Sequence, residues 1–520
     1  MNSWRFLNTF KNTVTKVSND KSLPSNFQQI LGKLPQTIDL NEYLKIGERK
    51  AYLIQESLQN IYNTTFKQEH DKNNKNKKVW KKSNVSSESQ PLDIAYNVNH
   101  LLNLIDSSSN EEVILELVQS LIHYLKNYPE VRNVAIKHGA IRVLLKKRLK
   151  IQQRNTLSPI REALTMLGYI DPIPGKGVRI LSIDGGGIRG VLVLEMLKKL
   201  EELTGQRTYE LFDFICGVST GAILTFSIGI HLRKLEDIIA RYEALSQEIF
   251  KQSPLWGTGN LMLTHAYYDT VLWEKKLKDY LGTDILISTS RNIKTPKLCV
   301  VSAIVNQSQV QAYVFRNYSL PWKFQSYYMG THEREVWQAA RASAAAPTYF
   351  EEFKMGNFIH QDGGILVNNP TAIAIHEAKL LWPDTPIQCV MSFGTGRTVP
   401  NPTEVLKLSQ LPDTGSMGTS WTNKFYKILD SATDTEAVHV MLSDLLPENV
   451  YYRFNPYLSE MIGMVETDQK KHEQLKRDAL MYLRRNEDKF HEAAKTLLLK
   501  KPLTQKIKEK IRLNREIIGF

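Results

Sequence analysis

From Val178 to about Arg397, short apolar runs alternate with stretches of helical period. VRILSI (178–183), FDFICGV (212–218), KLCVVSAIV (297–305) and CVMSFGTG (389–396) are of strand length and rich in β-branched and aromatic residues. Their apolar positions are continuous rather than alternating, as in strands buried on both faces. Strands spaced by helical segments predict an α/β domain with a largely parallel sheet. Upstream, residues 91–170 are helical by pattern. Leu101, Leu102, Leu104 and Ile105 form one apolar cluster, and Val113, Ile114, Leu117, Val118, Leu121 and Ile122 the next. Several short amphipathic helices in series predict an armadillo-like stack that serves as a scaffold. PIPGKG (172–177) breaks the chain before the first strand. Beyond residue 400 the pattern turns helical, polar and then basic. The expected organisation is an N-terminal targeting or flexible region (1–90), a helical repeat-like region (91–172), a catalytic α/β domain (178–400) and a helical basic extension (401–520).

The longest apolar run, AILTFSIGI (222–230), is about half of the roughly 18 residues a membrane span needs. Any membrane contact is therefore expected to be peripheral. The net charge of +13 suits an anionic partner, either a membrane surface or a nucleic acid. The Lys-rich stretch 67–90 has only Trp80 as an interleaved aromatic, so it is assigned as a flexible linker and no nucleic acid is expected. Cys216, Cys299 and Cys389 each sit in a strand-like run and are expected as buried thiols in a reducing interior. No Cys/His spacing marks a metal site. In the first twenty residues Trp4, Leu7, Phe10, Val14 and Val17 recur at helical spacing beside Arg5, Lys11 and Lys16, and no acid precedes Asp20. This composition is that of a mitochondrial transit peptide. As a surface-lying helix it would instead serve the endoplasmic reticulum or another organelle membrane.

The candidate chemistry lies where strands end. ILSIDGGGIRG (180–190) carries Gly185, Gly187 and Gly190 as G-x-G-x-x-G between a strand and a helix, which is also a dinucleotide fingerprint. The next strand runs into GVSTG, with Gly217, Ser219 and Gly221 as G-x-S-x-G, a nucleophile elbow. A serine acyl-enzyme needs backbone N–H groups about 2.7–3.1 Å from the developing oxyanion. Gly185, Gly186 and Gly187 offer bare backbone for that purpose. Arg189 braces this loop or meets a phosphate headgroup, or else only pairs with a nearby acid. HQDGG places Asp362 before Gly363 and Gly364, a turn that offers a carboxylate to a cleft as general base. His376, His439, His472 and His491 follow Asp362 in the order a Ser-Asp-His triad needs, but none lies in a distinctive loop. His360 is expected to pack locally. The expected machinery is a Ser–Asp dyad of Ser219 and Asp362.

DGGGIRG (184–190), GVSTG (217–221) and DGG (362–364), in this order, resemble the patatin-like phospholipase family. The helical region ahead and the basic segment behind resemble its calcium-independent, gamma-type branch. The resemblance implies a three-layer α/β/α fold and hydrolysis of fatty-acyl esters of membrane glycerophospholipids, releasing fatty acid and lysophospholipid. It assigns Ser219 as nucleophile, Asp362 as base and Gly185–Gly187 as oxyanion hole, with no cofactor and no calcium. Apolar surface is expected around the site, with residues 252–263 and 318–330 as candidates that fit buried connections at least as well. Three alternatives stand beside this reading: a neutral-lipid or lysophospholipid hydrolase with the same dyad, a nucleotide-binding protein using the Gly-rich loop, and a scaffold.

Overall fold

The computed structural model describes residues 90–251, 267–398, 435–460 and 462–518. The targeting segment, the Lys-rich linker, the 252–263 candidate and residues 399–434 lie outside the described residues.

Five helices open the described chain: α1 (Gln90–Ser107), α2 (Glu111–Asn127), α3 (Val131–Lys137), α4 (Ala140–Lys150) and α5 (Arg154–Met166). Their apolar stripes meet in one cluster that includes Leu102, Ile105, Ile114, Val118, Leu121 and Ile122. Leu104 and Val113, assigned to the same stripes from the pattern, face outward. Asn110 caps α2 by accepting the Glu112 N–H at 2.9 Å. The layer is tied to the rest of the fold through Glu162 of α5. Its buried carboxylate receives Lys126 at 2.7 Å, Arg291 at 2.5 Å and Ser288 at 2.9 Å.

The sheet is built from β1 (Val178–Ile183), β2 (Phe214–Val218), β3 (Lys297–Ile304), β4 (Gln311–Arg316), β5 (Met329–Thr331), β6 (Phe353–Met355), β7 (Phe358–Asp362), β8 (Ile387–Phe393) and β9 (Tyr451–Phe454). Along it the order is β9-β8-β1-β2-β3-β4-β5. The central strands β9, β8, β1, β2 and β3 are parallel, and β4 and β7 run antiparallel to β3. One face buries Leu181, Ile183, Ile215, Val300 and Phe393. The helices on it are α6 (Gly190–Thr204), α7 (Thr220–Gly229), α8 (Leu235–Phe250), α9 (Thr270–Leu281), α10 (Val336–Ser343), α13 (Gln469–Arg485) and α14 (Glu487–Leu497), with α12 (Thr435–Leu445) and α15 (Leu503–Ile518) elsewhere. The other face buries Val178, Ile180, Phe214, Val218 and Val390 under α11 (Thr371–Leu381). These are the three layers expected. Cys216, Cys299 and Cys389 are free and buried in β2, β3 and β8.

One expectation is corrected. The sheet does not close near residue 400: β9 lies inside the segment assigned to a helical extension and pairs with β8 over Tyr451↔Val390 to Phe454↔Phe393. Its four residues are too short and too polar around Arg453 to register as a strand against the helical background.

β3 acts as the common edge for two chain segments far apart in sequence. Its first half pairs with β2, up to Val218↔Val301. On the same side its second half pairs with β7, beginning at Ser302↔Asp362. The end of β2 and the end of β7 therefore meet at adjacent positions on one strand.

Candidate active site

Ser219 is the whole connection between β2 and α7. It takes φ 55 and ψ −120, left-handed for a residue with a side chain, a conformation that costs about 1–3 kcal/mol and persists only where the surroundings impose it. They do so on every side. The Ser219 N–H donates to Ser343 Oγ at 2.9 Å, and that hydroxyl donates to the Val301 carbonyl at 2.6 Å. Gly217 and Gly221 are required by contact: a Cβ on Gly217 would lie 2.2 Å from the Gly221 oxygen, and one on Gly221 would lie 2.4 Å from the Ile183 oxygen. Gly221→Ala is accordingly expected to cost about 1–3 kcal/mol through overpacking, read as a lowered Tm. An unchanged Tm would mean that the elbow is looser than these distances.

The Ser219 hydroxyl donates to Asp362 Oδ2 at 2.5 Å. The other carboxylate oxygen, Oδ1, accepts the Gly364 N–H at 2.7 Å. Gly363 is needed because its Cβ would meet the Val301 oxygen at 2.3 Å. Burial raises the Asp362 carboxyl to about 6, against the hydrogen bonds from Ser219 and Gly364, which lower it. No histidine reaches either group among the described residues. His360 faces Ser302 at 2.9 Å and packs beside Tyr313 and Phe315, the local role expected of it. His376 receives the Tyr327 N–H, His472 bonds the Glu466 carbonyl, His439 contacts Ser443, and His491 sits beside Glu487.

Gly185, Gly186 and Gly187 line the same cavity as Ser219 and Asp362. The Gly-rich loop is thus part of the serine site rather than a separate phosphate cradle. Gly185 directs its N–H to the Asn368 carbonyl at 3.3 Å. The N–H groups of Gly186 and Gly187 donate to no acceptor among the described residues. The loop is fixed through its carbonyls instead. Thr395 donates to Gly185 O at 2.5 Å and Tyr242 to Gly187 O at 2.7 Å. Arg189 Nε reaches Gly186 O at 3.4 Å, a contact within the loop itself. Gly190 opens α6 with the Thr220 hydroxyl 3.1 Å from where its Cβ would be.

The residue sequence reasoning missed is Arg453. It sends two hydrogen bonds to Asp184, 3.0 and 2.6 Å long, at the head of the Gly-rich loop, and a third to Ser392 at 2.9 Å. Both partners of this pair are 2% exposed. Burial raises the Asp184 carboxyl to about 6 and Arg453 opposes that rise. The only signal in the sequence is an arginine inside the short run YYRF.

The remaining walls are apolar: Ile223 from α7, Leu245 and Ile249 from α8, Trp273 from α9, and Phe350. Residues 318–330 contribute none of them. That segment leaves β4 at the opposite end of the sheet and anchors on α11 through Glu377, which accepts from Tyr318 at 2.7 Å and Ser326 at 2.5 Å. No group of three His, Cys, Asp or Glu side chains is placed to hold a metal among the described residues.

The family described as "Patatin-like phospholipase" matches residues 181–375, the span that holds the loop, the elbow and the Asp362 turn. The chain is 40% identical over 449 residues to mouse (Mus musculus) "Calcium-independent phospholipase A2-gamma", covering 85% of this chain and 56% of the mouse protein. It is 42% identical over 418 residues to the human (Homo sapiens) protein of that name, covering 80% and 52%. With "Phospholipase A I" of Arabidopsis thaliana it shares 32% over 406 residues, covering 65% and 30%. The chain spans about half the length of the mammalian relatives it matches. The matched span and the sheet around it carry one conclusion: residues 181–375 of this chain form a domain of the patatin-like phospholipase family.

Proposed function

We propose that the chain is a serine lipid acyl hydrolase that cleaves fatty-acyl esters of glycerophospholipids at a membrane surface without calcium. The observation that carries this reading is the 2.5 Å hydrogen bond from Ser219 to Asp362 inside an apolar cavity. Asp362 takes the hydroxyl proton as Ser219 Oγ attacks the acyl carbonyl. The oxyanion is held by the N–H groups of Gly186 and Gly187, with the N-terminus of α7 adding its dipole. Gly185, the third member of the expected oxyanion hole, acts as a spacer whose N–H holds Asn368. Collapse expels the glycerol oxygen, which receives the proton from Asp362, and the lysophospholipid leaves. Water then attacks the acyl-enzyme, again giving its proton to Asp362. That proton returns to Ser219 as the fatty acid departs. The apolar walls accommodate the acyl chain.

Asp362 works only as a carboxylate. With its pKa near 6, kcat is expected to fall as the pH drops through about 6 and to level off above it. A rate flat down to pH 4, measured on a non-ionising ester, would remove Asp362 from the proton path.

No described helix is long and apolar enough to cross a membrane. The association with phospholipid is read as peripheral. Residues 1–20 favour a mitochondrial address by composition. The direct test is a fluorophosphonate probe followed by mass spectrometry. An adduct on Ser219 that is lost in Asp362→Asn is the expected result. A folded protein that remains unlabelled in the presence of lipid vesicles would overturn the proposal.

A further inference from the structure

A second cavity lies at the other end of the sheet, where the parallel strands begin. Arg179 stands in β1, Asp213 just ahead of β2 and Lys297 at the head of β3. Facing them are Arg148 of α4, Arg161 of α5 and Asp171 of the segment leading to β1. The cavity is thus walled by both the helical layer and the sheet.

Its charges do not balance. Arg179 and Asp213 neutralise each other through hydrogen bonds of 3.0 and 2.7 Å. Arg148 takes both oxygens of Asp171, at 3.0 and 2.8 Å. Glu210 turns away to cap a helical turn, accepting the Arg207 N–H at 3.1 Å. Three cations are left over, of which Lys294 is exposed to solvent. The Arg161 guanidinium makes no hydrogen bond or ion pair among the described residues, and Lys297 Nζ has only the Thr165 hydroxyl at 3.4 Å. Burial pushes the Lys297 ammonium down to about 8, with Asp171 as the charge that opposes it. Burial and the neighbouring Arg148 lower Arg161 as well. The Thr295 hydroxyl of the same wall is buried and has no partner. Arg161 and Lys297 are partly withdrawn from water, and an anion that joins them offsets that cost.

We propose that this cavity binds a phosphomonoester anion, with Arg161 and Lys297 as the recognising cations. A dianion matches the charges of Arg161 and Lys297, and its oxygens accept from both by charge-assisted hydrogen bonds. One cation comes from α5 and the other from β3, so the bound anion joins the helical layer to the sheet and stabilises the fold by linkage. Inorganic phosphate and the phosphate of a lysophosphatidate headgroup share this chemistry. Tyr169, Tyr209 and Trp382 on the same walls offer apolar faces to the body of the second.

The test is thermal unfolding of the full chain carrying Ser219→Ala, so that no lysolipid is consumed. Inorganic phosphate and hexanoyl lysophosphatidate are compared with sodium chloride at equal ionic strength. A Tm rise beyond that of chloride is expected, with apparent affinity weakened roughly tenfold or more by Arg161→Gln. Arg161→Gln breaks no described bond, so the unliganded protein keeps its Tm, and with Ser219 intact it hydrolyses a short-chain ester at the unaltered rate. Tighter binding of lysophosphatidate than of phosphate supports the site with a lipid occupant, and equal binding supports it with free phosphate. No rise from either ligand, or the same rise in Arg161→Gln, overturns it.

Discussion

Ser219→Ala is expected to abolish phospholipid hydrolysis, with kcat reduced about 10⁴-fold or more, while the protein stays folded. The side chain makes one hydrogen bond, to Asp362, so its removal leaves the elbow intact. The backbone N–H still donates to Ser343, and the glycines on either side still pack against their carbonyls. Loss of the Ser219 hydrogen bond removes one of the two interactions that lower the Asp362 carboxyl, so that group moves further up. The measurement is turnover on phospholipid vesicles beside a thermal unfolding curve. A variant that hydrolyses at the parent rate would refute the nucleophile assignment. A variant that fails to fold would mean that the left-handed backbone at this position needs the hydroxyl.

Arg453→Met is the second large effect, and it falls on stability. Removing the guanidinium strands Asp184 in a site where both partners are 2% exposed. Breaking one side of a buried pair costs about 3–5 kcal/mol. Asp184 also heads the loop that presents Gly186 and Gly187, so the rate is expected to fall with the Tm. The double variant Asp184→Asn/Arg453→Met separates the causes, because it removes the stranded charge. Recovery of part of the lost Tm in the double variant is the expected coupling between contacting residues. A single variant as stable as the parent would show that water or another group compensates Asp184.

The dyad was legible in the sequence because each half is announced by glycines that contact forces. GVSTG and DGG both mark places where a Cβ would strike a backbone carbonyl. The central strands were legible because they are apolar on both faces. Beyond that the signal fades for a physical reason. Residues that hold the Gly-rich loop, such as Tyr242, Thr395 and Arg453, act across long separations through a few side-chain hydrogen bonds, and nothing local distinguishes them from surface polar residues. Strands β4 to β7 lie outside the parallel core, and β5 and β6 have three residues each. The aromatics of 318–330 fit both a lipid-facing rim and a buried connection by composition, and the segment anchors on Glu377 without lining the cavity.

The pairing of Asp184 with Arg453 spans 269 residues of chain. During synthesis at about 5–20 residues per second, roughly 10–50 s separate the emergence of the two. For that interval the Gly-rich loop lacks its counter-charge, so the oxyanion donors of the proposed mechanism are expected to be set in place only after β9 has been made.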